Sequence, residues 1–341
     1  MKEKDWWIYT GTHLPHDGIK RLPAPPGWRT FDTVENASER TFPGRTYDQQ
    51  RLAERASGFQ VDEDEIDLVN AALYLRRPLL VTGKPGSGKS TLAYAIAYEL
   101  QLGPVLRWPI TTSVTLQNGL YHYDAIGRLQ QAQLTWQSTQ SVPDIGQYLR
   151  LGPLGTALLP SKRPRVLLID EIDKSDIDLP NNLLHIFEEG EFEIPELTRM
   201  SEPTQEVTVM THDSTGDEDR VAIPGGMVRC AAFPLIIMTS NEEREFPPAF
   251  LRRCIRLDMS PPDEEKLARI VEARLGRQVF PQAYELIRSF VEQRASGDQA
   301  TDQLLNAIYL LTQPAIQQTD TQKIQAALLR SLTGEAFDEG D

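Results

Sequence analysis

Through the middle of the chain, short apolar runs alternate with stretches of helical period. Five runs stand out: "RPLLVTG" (77–83), "VLRWPI" (105–110), "RVLLID" (165–170), "PLIIMTS" (234–240) and "CIRLDM" (254–259). Runs rich in Val, Ile and Leu without clean alternation are what strands of a parallel sheet look like, because helices cover both faces. The region from about 56 to 260 is therefore predicted to be an α/β sheet domain.

After Ser260 the strands stop. "SPPD" (260–263) offers a Ser cap, a Pro in the first turn and an acid at the third position, ahead of Leu267, Ile270, Val271 and Leu275 on one helical face. Three more amphipathic segments follow, carried by Tyr284, Ile287, Phe290 and Val291, by Leu304, Leu305, Ile308 and Leu311, and by Ile324, Ala327, Leu328 and Leu332. A helical domain is expected over 261–335, with a frayed acidic tail at 336–341. Residues 1–55 differ again, since Pro and Gly break every period while Trp6, Trp7, Trp28 and Phe31 are interspersed. Aromatic side chains are costly to leave in water, so this segment is expected as a strap lying on a domain surface. A docking site for a partner protein is its functional alternative.

Composition narrows the classes of function. The 341 residues, 40% of them hydrophobic, suffice for one large or two moderate cores. Thirty-five basic against forty-nine acidic side chains leave a net charge of -14, which disfavours nucleic acid as the main partner because such affinity comes from basic surface. Cys230 and Cys254 lack metal-ligand spacing and read as buried thiols of a reducing compartment. The start, "MKEKDWWIYTGTH", has no apolar stretch of signal-peptide type, and no run approaches a membrane span, so the cytoplasm is expected and no membrane partner is.

The chemistry is concentrated after the first strand, where "GKPGSGKS" leads into "TLAYAIAYEL". A strand, then G-x-x-x-x-G-K-[ST], then a helix is the setting in which backbone amides cradle a polyphosphate. The loop comprises Gly83, Lys84, Pro85, Gly86, Ser87, Gly88, Lys89, Ser90 and Thr91. Its glycines permit the turn, Lys89 supplies a charge for the β- and γ-phosphates, and the Ser90 hydroxyl suits Mg²⁺. Further on, "RVLLIDEIDKSD" ends a strand in Asp170 and Glu171, where open α/β sheets bind ligands. Asp170 is expected to hold Mg²⁺ through water and Glu171 to act as general base on the attacking water. Asp173, Asp176 and Asp178 read as surface or helix-start charges. Asn241, after the next strand, could place a donor near the γ-phosphate. Asp213, Asp217, Glu218 and Asp219 do not have the spacing of a calcium loop.

In "GKPGSGKS", "LLIDEIDKSD", "MTSNEEREFPPAFLRRC" and "RLGPLGTALL", and in the helical segments that follow, the chain resembles AAA+ ATPases of the MoxR-like branch over about 56–335. The resemblance implies a P-loop NTPase (AAA+) core with a parallel five-stranded sheet of order 5-1-4-3-2 and a C-terminal α-helical lid. It further implies a ring, usually a hexamer, with ATP at each subunit boundary. Asn241 matches the sensor 1 position and Arg253 the arginine finger, with Arg252 the second candidate. If neither arginine is a finger, both would form surface ion pairs with Glu242, Glu243 and Glu245. Inserts near 116–130 and 190–233 match hairpins that face the pore in the family. The arginine called sensor 2 has no clear counterpart: Thr301 stands about where it is expected, and Arg294 precedes it. The function implied is Mg-dependent ATP hydrolysis that remodels a partner protein, relatives often working with von Willebrand A domain proteins. A nucleotide-gated assembly scaffold and, further behind, a nucleic-acid motor are the alternatives.

Overall fold

The computed structural model of the chain describes residues 4–29, 31, 46–138, 144–199, 206–214, 216, 220–276, 279–294 and 300–313. Among these residues the strands are β1 (Leu79–Thr82), β2 (Leu106–Pro109), β3 (Tyr121–Tyr123), β4 (Leu149–Leu151), β5 (Val166–Asp170), β6 (Glu191–Glu193), β7 (Glu206–Met210), β8 (Arg220–Pro224), β9 (Met227–Arg229), β10 (Leu235–Ser240) and β11 (Ile255–Asp258).

Five strands pair in parallel in the order β11-β1-β10-β5-β2. Counted along the chain among themselves, these five read 5-1-4-3-2. The inner strands β1, β5 and β10 are buried at every position, as continuous apolar runs require. The edge strands behave differently. In β2, Leu106 and Trp108 are buried while Arg107 and Pro109 are exposed, and in β11 Arg256 and Asp258 are exposed. Two covered faces, expected for all five runs, therefore describe only the inner three, because flanking helices thin out at a sheet's edge.

Helix Lys89–Glu99 follows β1 and is buried along most of its length through Leu92, Ala93, Ala95, Ile96 and Ala97. Helix Thr46–Ala56 packs against it, so a boundary at 55 falls inside a helix. The stretches near 116–130 and 190–233, joined by β4 from between them, build two smaller sheets, β3-β4-β7-β8 and the antiparallel pair β6-β9.

The amino-terminal segment is more than a surface strap. Trp7, Ile8 and Tyr9 are at most 1% exposed and belong to the core beneath β1 and helix Lys89–Glu99. Two polar side chains make this burial possible. The Asn70 amide accepts from the backbone N–H groups of Ile8 (2.7 Å) and Tyr9 (3.0 Å) and donates to the carbonyls of Tyr9 and Ile66. The fully buried Glu99 carboxylate accepts from the amides of Thr10, Gly11 and His13 at 2.6, 3.0 and 2.9 Å. Extended backbone can be buried only when its amides are paired, and these two residues supply the partners. Trp28, by contrast, is 78% exposed.

Helices Glu264–Leu275, Phe280–Arg294 and Thr301–Leu311 pack around Leu267, Val271, Ile287, Phe290, Leu304 and Ile308. The first is capped by Asp263, which accepts from the Lys266 amide, and not by Ser260. Two prolines, Pro261 and Pro262, hold the backbone extended until the residue after them, which moves the helix start to Asp263. The fourth amphipathic segment, around Ile324 to Leu332, and the acidic tail lie outside the described residues. Lys266 ties this helical unit to the sheet domain: its ammonium donates to Asp62 at 2.7 Å and to the buried Glu65 at 3.4 Å.

Candidate functional site

The phosphate loop leaves β1 at Gly83 and closes at Gly88, the left-handed residue that caps helix Lys89–Glu99. Two of its glycines are needed for space as well as for conformation. A Cβ at Gly83 (φ +142°) would lie 2.4 Å from the Met259 carbonyl oxygen, and one at Gly86 (φ +76°) would lie 2.7 Å from Ala300 and from the Thr301 amide nitrogen. The second contact seats the start of helix Thr301–Leu311 directly on the loop.

Lys89 is buried and folds back beneath the loop, donating to the carbonyls of Gly83 (2.6 Å) and Lys84 (2.8 Å). Burial lowers the pKa of its ammonium, while Asp173, Asp170, Glu171 and Glu242 act in the opposite direction. Ser90 Oγ donates to Asp170 Oδ1 at 2.7 Å, joining the loop to the end of β5. Thr239 of β10 donates to the same oxygen at 2.9 Å, and Arg107 of β2 reaches the other oxygen through Nη2 (2.7 Å) and Nε (3.2 Å). Burial alone would raise the Asp170 pKa; the hydrogen bonds from Ser90, Arg107 and Thr239 outweigh it and hold the carboxyl below its ordinary range.

Glu171 adopts φ +63°, a left-handed conformation unusual for a side-chain-bearing residue. Its amide donates to Thr239 Oγ1 at 2.9 Å and its partly exposed carboxylate pairs with Lys174 at 2.9 Å. One hydroxyl, Thr239, thus fixes both consecutive acids. Asn241 follows β10, and its amide donates to Asp173 Oδ2 at 2.8 Å; the Glu243 amide reaches the same oxygen at 3.3 Å. Asp173 is therefore no surface charge, being 5% exposed and holding the turn after β10 against the turn after β5. Asp176 and Asp178 are exposed.

Loop, Asp170, Glu171 and the turn bearing Asn241 are thus brought together. Arg253 is not in this group. Its guanidinium pairs with Glu188, at the end of helix Leu179–Glu189, and donates to the Ala249 carbonyl at 3.1 Å. The ion pair expected with Glu242, Glu243 or Glu245 is made with Glu188 instead, because helix Leu179–Glu189 packs beside Pro248–Leu251. Arg252 is exposed, and its carbonyl accepts from Arg77 at 2.8 Å.

A cavity of about 410 Å³ opens beside the loop between the two units, bordered by Phe59, Gly86, Gly88, Lys266, Ile270 and Thr301. Thr301 is 8% exposed and its hydroxyl has no hydrogen-bond partner among the described residues. The side chain of Arg294 lies outside what the structure describes. Asp213 pairs with the buried Arg165 at 2.9 Å, while Asp217, Glu218 and Asp219 are outside the described residues.

Residues 78–254 match the AAA domain (dynein-related subfamily). The chain belongs to that family. Among solved structures, the chain is similar to domain III of the Thermotoga maritima replication initiation protein DnaA, at 18% identity and a TM-score of 0.38, covering 80% of this chain and 93% of that one. It is also similar to NtrX from Brucella abortus in complex with ADP, at 15% identity and a TM-score of 0.41, covering 84% of this chain and 59% of that one. No curated protein matches the chain in sequence.

Three residues of the AAA domain's site escaped sequence reasoning. Arg107 and Thr239 are polar positions inside runs read as apolar, and Asp173 sits in an acidic turn where only the fold selects which acid is buried. A guanidinium in a strand was the one available signal. The Mg²⁺ that such domains employ takes hard oxygen donors. The Ser90 hydroxyl and the Asp170 carboxylate, 2.7 Å apart, form such a set.

Proposed function

We propose that the chain is a Mg-dependent ATPase of the MoxR-like branch that acts as a ring, a hexamer being favoured, to remodel or assemble a partner protein in the cytoplasm. The supporting observation is the junction of Ser90, Asp170, Thr239 and Glu171 beside a glycine loop closed over Lys89. Loop amides and Lys89 bind and orient the polyphosphate. Ser90 and Asp170 would hold Mg²⁺, which when bound offsets charge on the phosphate oxygens. Glu171, turned outward by its left-handed backbone, takes the proton of the attacking water. Asn241, on the turn anchored by Asp173, positions that water.

The remaining cation comes from a neighbouring copy. Arg253 lies just before the edge strand β11, and a guanidinium delivered to a γ-phosphate by a second subunit is worth ~10³–10⁵ in rate. Glu171→Gln is expected to bind ATP without turnover, and Arg253→Ala to bind normally and turn over at most about a thousandth as fast. Mixing the two variants would then restore phosphate release, since one copy keeps an intact cradle and acid and the other an intact arginine. Absence of rescue in the mixture, or full activity in a verified monomer, would remove the shared-site reading.

The client-facing surface is assigned to the two smaller sheets and to helix Ala125–Ser138, on which Ile126 and Leu129 are 71% and 61% exposed. A partner with a von Willebrand A domain is the favoured client class. A nucleotide-gated scaffold with negligible turnover is the second reading, favoured by the Arg253–Glu188 pair that occupies the proposed finger within a single chain. Phosphate release with and without added partner separates the two.

A further inference from the structure

Asp170 has no hydrogen-bonding capacity left to offer. An ionised carboxylate presents roughly four acceptor positions. Here Oδ1 accepts from Ser90 (2.7 Å) and Thr239 (2.9 Å), and Oδ2 accepts from Arg107 Nη2 (2.7 Å) and Nε (3.2 Å). Two of these partners are neutral hydroxyls that can rotate to present a lone pair. The guanidinium cannot, since it has no acceptor and keeps its charge.

Burial of the two ionic partners is unequal. The Asp170 side chain is 10% exposed, whereas that of Arg107 is 53% exposed on the edge strand β2. Arg107 can therefore withdraw into solvent while Asp170 cannot. The space it would withdraw into is an open cavity of about 220 Å³ that Arg107 shares with Arg51, Arg55 and Tyr94. Like charges there disfavour the withdrawn position, which keeps Arg107 on the carboxylate until another cation replaces it.

We propose that Arg107 is the resident counter-ion of Asp170 in the nucleotide-free chain, and that the divalent cation binds by displacing it, so that residue 107 sets metal affinity. The proposal rests on the reading that Ser90 and Asp170 hold that cation. A guanidinium on Oδ2 and a divalent cation held by the same carboxylate, directly or through water, are both positive and compete for its charge and its acceptor positions. Arg107 thus neutralises a buried acid that would otherwise be unpaired, at the expense of competing with the metal. It is a positioning residue and touches no reacting atom.

The test uses Mn²⁺ as the probe, with the full chain saturated in ADP, and follows free Mn²⁺ by its electron paramagnetic resonance signal. Arg107→Gln is expected to tighten Mn²⁺ binding roughly tenfold, the change expected on removing a charged hydrogen-bond partner. Arg107→Lys, which keeps the charge but loses the two-point contact, is expected to tighten it less, and it covers the case in which the glutamine variant does not fold. Were Arg107 only a brace for the Asp170 side chain, both variants would bind Mn²⁺ more weakly; that result, or unchanged affinity, overturns the proposal. ADP binding to the unaltered chain in EDTA is measured alongside. Its failure would overturn the phosphate-loop reading together with the proposal, whereas ADP binding with unchanged Mn²⁺ affinity would overturn the proposal alone.

Discussion

Cys254 shows how a single residue takes its chemistry from its surroundings. It stands between the two arginines and β11, is 7% exposed, and donates to the Phe250 carbonyl. Burial pushes its thiol from the ordinary 9.0 up to about 12, with Arg77 opposing weakly. A pKa raised on folding favours the protonated form in the native state. The stabilisation is therefore complete below about 9 and is lost as pH rises toward about 12. Native protein at pH 8 is expected to leave Cys254 unlabelled by iodoacetamide, and unfolding midpoints are expected to fall between pH 9 and 12; a Cys254→Ser chain would show a shallower fall. That Cys254 is buried was legible in the sequence, because it opens an apolar run. The same reasoning misassigned Asp173: a run of acids after a strand has one periodicity, and only the approach of the turn after β10 determines which carboxylate receives backbone amides.

At the scale of elements, the phosphate loop and the inner strands were legible because they depend on neighbours in sequence. A glycine loop between an apolar strand and a helix carries its constraint within a few residues. The amino-terminal segment was not legible, since its partners, Asn70 and Glu99, lie on two helices far along the chain. Replacing Asn70 with Ala strands the Ile8 and Tyr9 amides in a dry interior, at about 1–3 kcal/mol for each buried group left unpaired. Thermal unfolding is expected to report a loss on the order of 3 kcal/mol, with accelerated hydrogen exchange at residues 7–10. A variant as stable as the parent would mean that the segment contributes little to the fold.

For the molecule as a whole, the proposed shared site turns on the contact that holds Arg253 inside its own chain. Half-exposed ion pairs of this kind are worth about 0.2–1 kcal/mol, so release of Arg253 from Glu188 is an easy step. Glu188→Gln is accordingly expected to lower the protein concentration at half-maximal turnover, by no more than about fivefold. Turnover measured over a dilution series checks this, and a shift to higher concentration would show that Glu188 itself supports the interface. The sequence by itself determined the α/β class, the phosphate cradle and the two consecutive acids, because local turn geometry and strand burial are written into adjacent residues. Only the tertiary structure decided that Arg107 and Thr239 meet Asp170, that Asp173 is buried, and that Trp7 to Tyr9 enter the core. Each of those depends on the pairing of strands and helices distant in sequence, and a side chain's partners across such a pairing leave no periodic trace in either segment.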